Sequence, residues 1–363
     1  MKVLVTGAAG FLGWHTRVRL RALTGHEVIA VDRAGWADLR DHARGVDAIV
    51  HIAGVNRGSD DEVKQGNVEL AQAVADAALA SGTAPRIIYA NSVHSGSASP
   101  YGTGKSAAAG ILATAADTLG SQIVDVRLPN LFGEHGRPRY NSFVATFAHA
   151  VITGEAPLIA DRPVDLLHVQ GAAQALIDGL TAIEETLEPA GTPTTVQGVY
   201  DTLQGFNAMY ATGDIPSLQS DLDVDLFNTL RAALFPAHYP IPLTQRTDAR
   251  GSLTEVVRAH GGQGQTFVST TRPGITRGEH FHLRKVERFV VVGGAARISL
   301  RRMFTHEVVS FDVTGEAPAI IDMPTMWVHN ITNTGFGELT TLFWTNELFD
   351  PSAPDTFPEA VER

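Results

Sequence analysis

The chain has no cysteine among its 363 residues. Disulfides and thiolate metal sites are therefore impossible, and any metal must be held by histidine and carboxylate. Basic residues are also scarce: 28 Lys and Arg stand against 39 Asp and Glu, giving a formal net charge of −11. A nucleic-acid groove or an anionic membrane surface needs a basic face, so neither is an expected partner; a locally basic pocket for a small anion stays open. No uninterrupted apolar run approaches the ~18 residues that a membrane helix requires, so no membrane insertion is expected. The first apolar run lasts only a few residues before it enters a glycine turn, unlike a signal peptide, which makes the cytoplasm the expected location. The composition, 44% hydrophobic and 18% charged, allows a sizeable core, and the length suggests two domains.

The first residues, MKVLVTGAAGFLG, read as a short strand running into a turn with Gly7, Gly10 and Gly13. In such a turn the first glycine allows the tight bend, the second lets the backbone approach a pyrophosphate, and the third lets the next helix pack closely on the strand. The helix N-terminus then faces the phosphate charge. A lone glycine turn is weak evidence. Here a strand precedes it, a helix is predicted over 11–23, and a second strand, EVIAVDR, ends in Asp32 where a ribose-binding acid should sit. The alternation then continues: strand 47–54, helix 63–81, strand 86–92, helix 101–119 and strand 123–130. Strands alternating with helices of this length imply a doubly wound parallel α/β sheet, a Rossmann fold.

Two side chains on this scaffold carry a chemical spacing. Tyr101 and Lys105 are four apart just after Pro100, which suits a first helical turn and puts them on one face. A phenol titrates near about 10, and a neighbouring ammonium brings its proton exchange toward neutral pH. Chance produces many such pairs, and an exposed helix face explains about half of them. Ser92, at the end of the preceding strand, adds a hydroxyl that could bond the same carbonyl oxygen, and the ordered set points to a site.

TGAAGFLG, VHIAG, Ser92, YGTGK and RLPNLFG together resemble the extended short-chain dehydrogenase/reductase family over about residues 1–240. The resemblance implies hydride transfer with Tyr101 as proton donor or acceptor, Lys105 lowering its pKa and holding the ribose, and Ser92 polarising the substrate carbonyl. It places the cofactor against Gly7, Gly10, Phe11, Leu12, Gly13, Ala53, Gly54 and Asn67. Pro129 and Leu131 would border the nicotinamide, and Asp38 and Leu39 the adenine. Asp32 favours a free ribose 2′-hydroxyl as in NAD, whereas Arg33 can accept a 2′-phosphate; for a biosynthetic reduction the reading is NADPH. Asn130, Asn141, Arg162 and His168 are substrate candidates by family position, although each also has an ordinary role in a turn, at a surface or in a packed segment.

From 184 to 243 the alternation lapses into loops and two predicted helices, near 202–210 and 221–234, and FPAHYPIPL with its three prolines reads as a linker. The reductase domain is thus expected over 1–243 and a second domain over 244–363. In the second, short strands such as QTFVSTT, RFVVVGG and ARISLRR follow one another between Gly, Pro and Asn turns, which implies an all-β sandwich or barrel.

Within it, Gly274, His280, His282, Glu287 and Gly294 follow a Gx5HxHx4Ex6G spacing, and His329 and Asn333 come after Pro324. The two-residue strand period sends His280 and His282 to one face, and Glu287 can return on a neighbouring strand. Three imidazoles and a carboxylate suit Zn or another divalent metal such as Mn, Fe or Ni. Any one such histidine is usually structural; four groups at these spacings are not. These motifs resemble the cupin family, a jelly-roll barrel, with one departure: Met326 stands where the second motif usually has glycine. TDARGSLTE also resembles the start of sugar-nucleotide 3,5-epimerase cupins. No metal-free His–Asp dyad is evident and the cupin base is unidentified, with Lys285 and Arg284 merely close in sequence.

The two halves joined in one chain resemble the CapF-type family of capsular and O-antigen sugar synthesis, a likeness carried further by GVNR at 54–57 and NELFDP near 346–351. That resemblance implies a bifunctional UDP-sugar enzyme: the cupin epimerises C3 of a UDP-linked 4-keto-6-deoxy-N-acetylhexosamine, and the reductase then reduces C4 with NADPH. The implied product is UDP-N-acetyl-6-deoxy-L-talosamine, on the way to UDP-N-acetyl-L-fucosamine. A homodimer is expected. The competing expectation is a single-function 4-keto-sugar-nucleotide reductase or epimerase whose cupin is structural and dimerising.

Overall fold

The computed structural model describes residues 1–362, which form two compact units. The first comprises Met1–Phe132 and Pro163–Thr195; the second comprises Gly133–Arg162 and Val196–Arg363. By packing, residues 133–162 and 196–243, which the sequence reading groups with the reductase, belong with the β-rich half.

In the first unit six parallel strands run in the order Glu27–Val31, Lys2–Thr6, Ala48–His51, Arg86–Ser92, Ile123–Leu128, Thr186–Leu187. One apolar cluster covers each face: Val3, Val5, Leu20 and Leu176 belong to one, and Leu4, Ile49, Ala71 and Leu112 to the other. The doubly wound parallel sheet is as expected. Its order reverses between Lys2–Thr6 and Ala48–His51, and ligands of such sheets bind beyond the carboxyl ends of the strands at that point. The glycine turn after Thr6 and the loop after His51 both sit there.

Helix Phe11–Leu23 has the expected bounds. Helix Asp60–Leu79 starts earlier than the apolar period indicates, because Ser59 and Glu62 form a reciprocal capping box over its acidic first turn. Helix Pro100–Leu119 begins with proline at its first position, capped by the Ser99 hydroxyl, which accepts from the Gly102 amide at 3.0 Å. Two further helices, Phe143–Thr153 and Val169–Asp178, escape the sequence reading. The first is apolar nearly all round and offers no periodic contrast.

The second unit contains two five-stranded sheets. One runs Ile241–Pro242, Ala319–Met323, Glu287–Gly293, Leu339–Thr345, Gln265–Thr271, and the other Val308–Thr314, Ala295–Arg302, Trp327–Asn333, Thr276–Phe281, Phe357–Pro358, with antiparallel pairing throughout. Helices Val196–Tyr210 and Asp221–Leu234 are fastened to this β-rich half: the Tyr210 hydroxyl donates to the Asp322 carboxylate, the Arg231 guanidinium to the Met323 carbonyl at 2.6 Å, and the Asn228 amide to the Arg284 carbonyl at 2.7 Å. The proline-rich stretch is built into this unit. Tyr239 and Ile241 are buried, and Ile241 pairs with Ile320. Its prolines rule out a helix but do not prevent packing.

Candidate functional site

At the sheet's switch point glycines let the chain close tightly on itself. Gly7 has φ +65°, and a side chain there would place Cβ 2.8 Å from the Ala53 amide nitrogen and 2.9 Å from its Cα. A Cβ on Gly13 would meet the Gly7 carbonyl oxygen at 2.1 Å, so this glycine lets helix Phe11–Leu23 approach the strand. Gly10 is the helix N-cap with no side chain in the way, and it leaves Phe11 and Leu12 to open the first turn. The cradle fits a dinucleotide pyrophosphate.

The opposite wall is held by side chains working on backbone. The Thr6 hydroxyl oxygen accepts from the Ile52 and Ala53 amides at 3.1 and 3.3 Å, which leaves its proton for His51 Nδ1 at 2.8 Å. Burial, and after it the Lys105 ammonium, push His51 down to about 3, so the ring accepts as a neutral imidazole. Asn67, fully inside, donates to the Val55 and Val63 carbonyls at 2.7 Å each and accepts from the Val55 amide at 3.3 Å, fixing the loop just past Ala53 and Gly54.

At the far end of the cradle one carboxylate oxygen of Asp32 accepts from the Ala34 and Gly35 amides at 2.9 and 3.1 Å and closes the turn. Arg33 and Asp38 are exposed beside it, whereas the Leu39 side chain is buried in an apolar cluster with Val31 and Ala43. The sequence reading missed Arg17. Its guanidinium donates to the Ala8 carbonyl at 3.2 Å; burial lowers its pKa while the Asp32 charge raises it.

Tyr101 lies within hydrogen-bond reach of Ser92, and Lys105 follows it by one turn on helix Pro100–Leu119. Burial raises the Tyr101 phenol, the reverse of the lowering expected from Lys105, and only a hydrogen bond with the Ser92 hydroxyl opposes that rise. Lys105 is buried: its ammonium donates to the Ala90 carbonyl at 2.7 Å and lies 4.6 Å from the centre of the Tyr89 ring. Desolvation lowers it to about 8, with Asp125 acting in the opposite direction. A Tyr–Ser pair with a nearby ammonium can hand a proton to a carbonyl oxygen and polarise it. Of the remaining candidates, strands Asn130–Phe132 and Pro163–His168 pair in parallel, so Asn130 stands opposite Leu166 and His168 opposite Phe132, with Leu131 between and Pro129 preceding. Asn141 and Arg162 are exposed in the second unit.

The second unit brings His280, His282, Glu287 and His329 together, their ligating atoms all within 4.8 Å of one another. The two sheets share them: His280 lies on Thr276–Phe281 opposite His329 on Trp327–Asn333, whereas Glu287 opens a strand of the other sheet. A bulge between Gly278 and His280, with Glu279 at φ +59°, turns His280 toward His329. One Glu287 oxygen is 3.0 Å from His282 Nε2 and 3.1 Å from His329 Nε2. Donors held about 2.1 Å from one divalent ion at right angles would be about 3.0 Å apart, so the set fits such an ion. Burial disfavours the Glu287 charge, but the His282 and His329 rings outweigh it and hold the carboxyl well below its usual range. Burial, and then His329 and His282, push His280 down to about 3, which keeps its lone pair available. Met326 adopts φ +61°, the left-handed conformation that a glycine would take there without strain.

Around this centre Lys285 stands out by its nearness in sequence, whereas Asp355 carries no local signal. Lys285 is buried, its ammonium donating to the Pro354 carbonyl at 2.7 Å, and Asp355 binds three successive amides of 283–285. Arg284 pairs with Asp221 at 2.6 Å on the surface.

Two stretches of the chain match known families. Residues 3–190 match the NAD dependent epimerase/dehydratase family, and residues 246–357 match the polysaccharide biosynthesis C-terminal domain. The chain is 32% identical over 371 residues to the UDP-2-acetamido-2,6-beta-L-arabino-hexul-4-ose reductase of Pseudomonas aeruginosa, covering 99% of each. The crystal structure of the capsular polysaccharide assembling protein CapF from Staphylococcus aureus is 31% identical with a TM-score of 0.65, over 99% of this chain and 100% of that one. The UDP-glucose 4-epimerase of Thermotoga maritima, 16% identical with a TM-score of 0.55 over 64% of this chain and 98% of that one, shares the fold alone. With a glycine cradle and a Ser–Tyr–Lys set in one half and a matching C-terminal domain in the other, the chain belongs to the NAD dependent epimerase/dehydratase family, in its CapF-type branch.

Proposed function

We propose that the chain is a bifunctional sugar-nucleotide enzyme, with an NADPH-dependent reductase module built on the N-terminal parallel sheet and a metal-binding cupin of jelly-roll form in residues 244–363. The cupin inverts C3 of UDP-2-acetamido-2,6-dideoxy-4-hexulose, and the reductase then reduces C4 to give UDP-N-acetyl-6-deoxy-L-talosamine for capsule or O-antigen synthesis. Support comes from the P. aeruginosa relative, a reductase of a UDP-linked 4-hexulose, and from the full-length likeness to CapF. The observation that carries the two-step reading is that one chain holds both a Ser–Tyr–Lys set and four converging metal donors.

A bound nicotinamide supplies the hydride, and a divalent metal held by His280, His282, Glu287 and His329 supplies Lewis acidity. Everything else falls to the chain's own side chains. Ser92 donates to the C4 oxygen, and Tyr101 delivers its proton to that oxygen as the ketone becomes an alcohol. Lys105 keeps positive charge beside the phenol. Asn130 and His168, on paired strands of the first unit, bind the sugar or its diphosphate. Arg33, with Arg17 close enough to Asp32 to feel its charge, favours a 2′-phosphate and hence NADPH. The order of steps follows from acidity: the C3 proton is labile only while C4 is a ketone, so reduction locks the new stereocentre. The active species is a homodimer.

The test is turnover of the UDP-4-keto sugar with NADPH in D2O. Wild-type protein is expected to take up deuterium at C3 and oxidise NADPH, and a chelator is expected to stop the uptake. Tyr101→Phe is expected to lower reduction by at least about 100-fold while leaving C3 exchange in place. Reduction by Tyr101→Phe at the wild-type rate would overturn the assignment. A second reading, a single-function reductase whose C-terminal unit is structural and dimerising, is favoured by the buried Arg288–Asp322 pair that ties that unit together. It requires wild-type protein to show no C3 exchange.

A further inference from the structure

Segment 354–361 runs along the outer edge of strand Thr276–Phe281, which carries His280, and is tied to it and to neighbouring residues by several hydrogen bonds. Phe357 pairs with Phe281 and Pro358 with His280. The Glu359 amide donates to the Glu279 carbonyl at 3.0 Å, and the Val361 amide to the Glu279 carboxylate at 2.6 Å. Arg301, 1% exposed, donates to the Val361 and Ala360 carbonyls at 2.6 Å each. At the head of this segment Asp355 sits at φ +40°. Its Oδ1 accepts from the Leu283 amide at 2.9 Å, and its Oδ2 from the Arg284 and Lys285 amides at 2.9 and 2.7 Å. Its backbone carbonyl accepts from His282 Nδ1 at 2.5 Å.

This last contact decides which nitrogen of His282 can bind a metal. A neutral imidazole carries one N–H, so donation from Nδ1 leaves the lone pair on Nε2, the atom 3.0 Å from the Glu287 carboxylate. Imidazole ligands are commonly oriented by an acceptor on their second nitrogen, and losing that partner typically weakens metal affinity 10- to 100-fold. Here the acceptor is a main-chain carbonyl, which substitution of its own side chain does not remove. What holds the carbonyl in place is the same residue's carboxylate, anchored on the three amides that follow His282, together with the Lys285 ammonium on the Pro354 carbonyl at 2.7 Å. A lone carboxylate over three amides would be an ordinary loop cap. The bond from a donor-set histidine to the same residue makes it more than that.

We propose that Asp355 is a positioning residue of the metal centre: its carboxylate clamps the 283–285 turn and thereby holds its own carbonyl against His282 Nδ1, which presents Nε2 as the ligand. The proposal rests on the metal-centre reading of His280, His282, Glu287 and His329.

The experiment uses the full chain, stripped with a chelator and reloaded with zinc or cobalt(II). Affinity is read by competition with a chromophoric chelator, and donor geometry by the visible spectrum of bound cobalt. Asp355→Ala is expected to weaken metal binding about 10- to 100-fold and to change the cobalt spectrum. Asp355→Asn, which keeps an acceptor and tolerates φ +40°, is expected to recover part of the affinity. Metal bound by Asp355→Ala as tightly as by wild type, with an unchanged spectrum, overturns the positioning role while leaving the metal centre standing. Failure of the wild-type protein to take up metal overturns the underlying reading instead. If Asp355→Ala does not fold, the Asp355→Asn affinity decides alone, and a wild-type value counts against the proposal.

Discussion

Arg288 and Asp322 meet in a doubly bonded pair, at 2.8 and 2.9 Å, with neither side chain exposed to solvent. The third arm of the guanidinium donates to the Gly213 carbonyl at 2.7 Å, and the Asp322 carboxylate also accepts from the Tyr210 hydroxyl. Burial alone would raise the Asp322 carboxyl, but Arg288 outweighs it and holds the group below its usual range. The pair therefore joins two sheet strands to helix Val196–Tyr210.

Such a pair is costly to break from one side and far less costly to replace entirely. Asp322→Leu or Arg288→Met alone is expected to destabilise the second unit by about 3–5 kcal/mol, and the double substitution by less than either single change. Urea unfolding of the four proteins, followed by a probe in that unit, measures the coupling. Additive losses would mean that the two charges do not depend on each other.

Lys105 offers a pH test with a defined sign. Burial keeps Tyr101 protonated across the working range, so the first group of the pair to lose its proton as pH rises is Lys105, at about 8. C4 reduction is expected to be level below that pH and to fall above it, and Lys105→Met is expected to be slow and to lack this limb. A rate that climbs through pH 8 would contradict the role assigned to the ammonium. Stability moves the other way. The folded pKa lies below the ordinary 10.5, so the unfolded chain binds an extra proton between the two values, and the first unit is expected to gain stability as pH rises through that window.

Met326 sets two effects against each other. Its left-handed backbone costs about 1–2 kcal/mol, which glycine would relieve, yet its side chain is fully buried, and deleting such a side chain costs about 2–5 kcal/mol. Packing should win, so Met326→Gly is expected to lower stability by about 1–3 kcal/mol. Its amide donates to the His282 carbonyl at 2.7 Å and should continue to do so, leaving metal affinity near wild type. A higher melting temperature for the glycine variant would show that backbone strain dominates.

Short-range order in the chain was enough to determine the glycine turn, the parallel strands beyond it, the Tyr101–Lys105 face and the HxH spacing. Each of these is a pattern within one or two elements, where the 3.6- and two-residue periods dictate which side chains coincide. Tertiary structure alone decided the rest. Asp355 lies 73 residues from His282, and Asp322 lies 34 from Arg288, separations at which no periodicity links two positions. Helix Phe143–Thr153 was hidden because it is apolar on nearly every side, and the proline-rich stretch at 236–243 read as a linker although Tyr239 and Ile241 are buried. That Glu287 reaches the three histidines from the other sheet follows from how the strands fold onto one another, because only three-dimensional packing brings groups from separate sheets around one point.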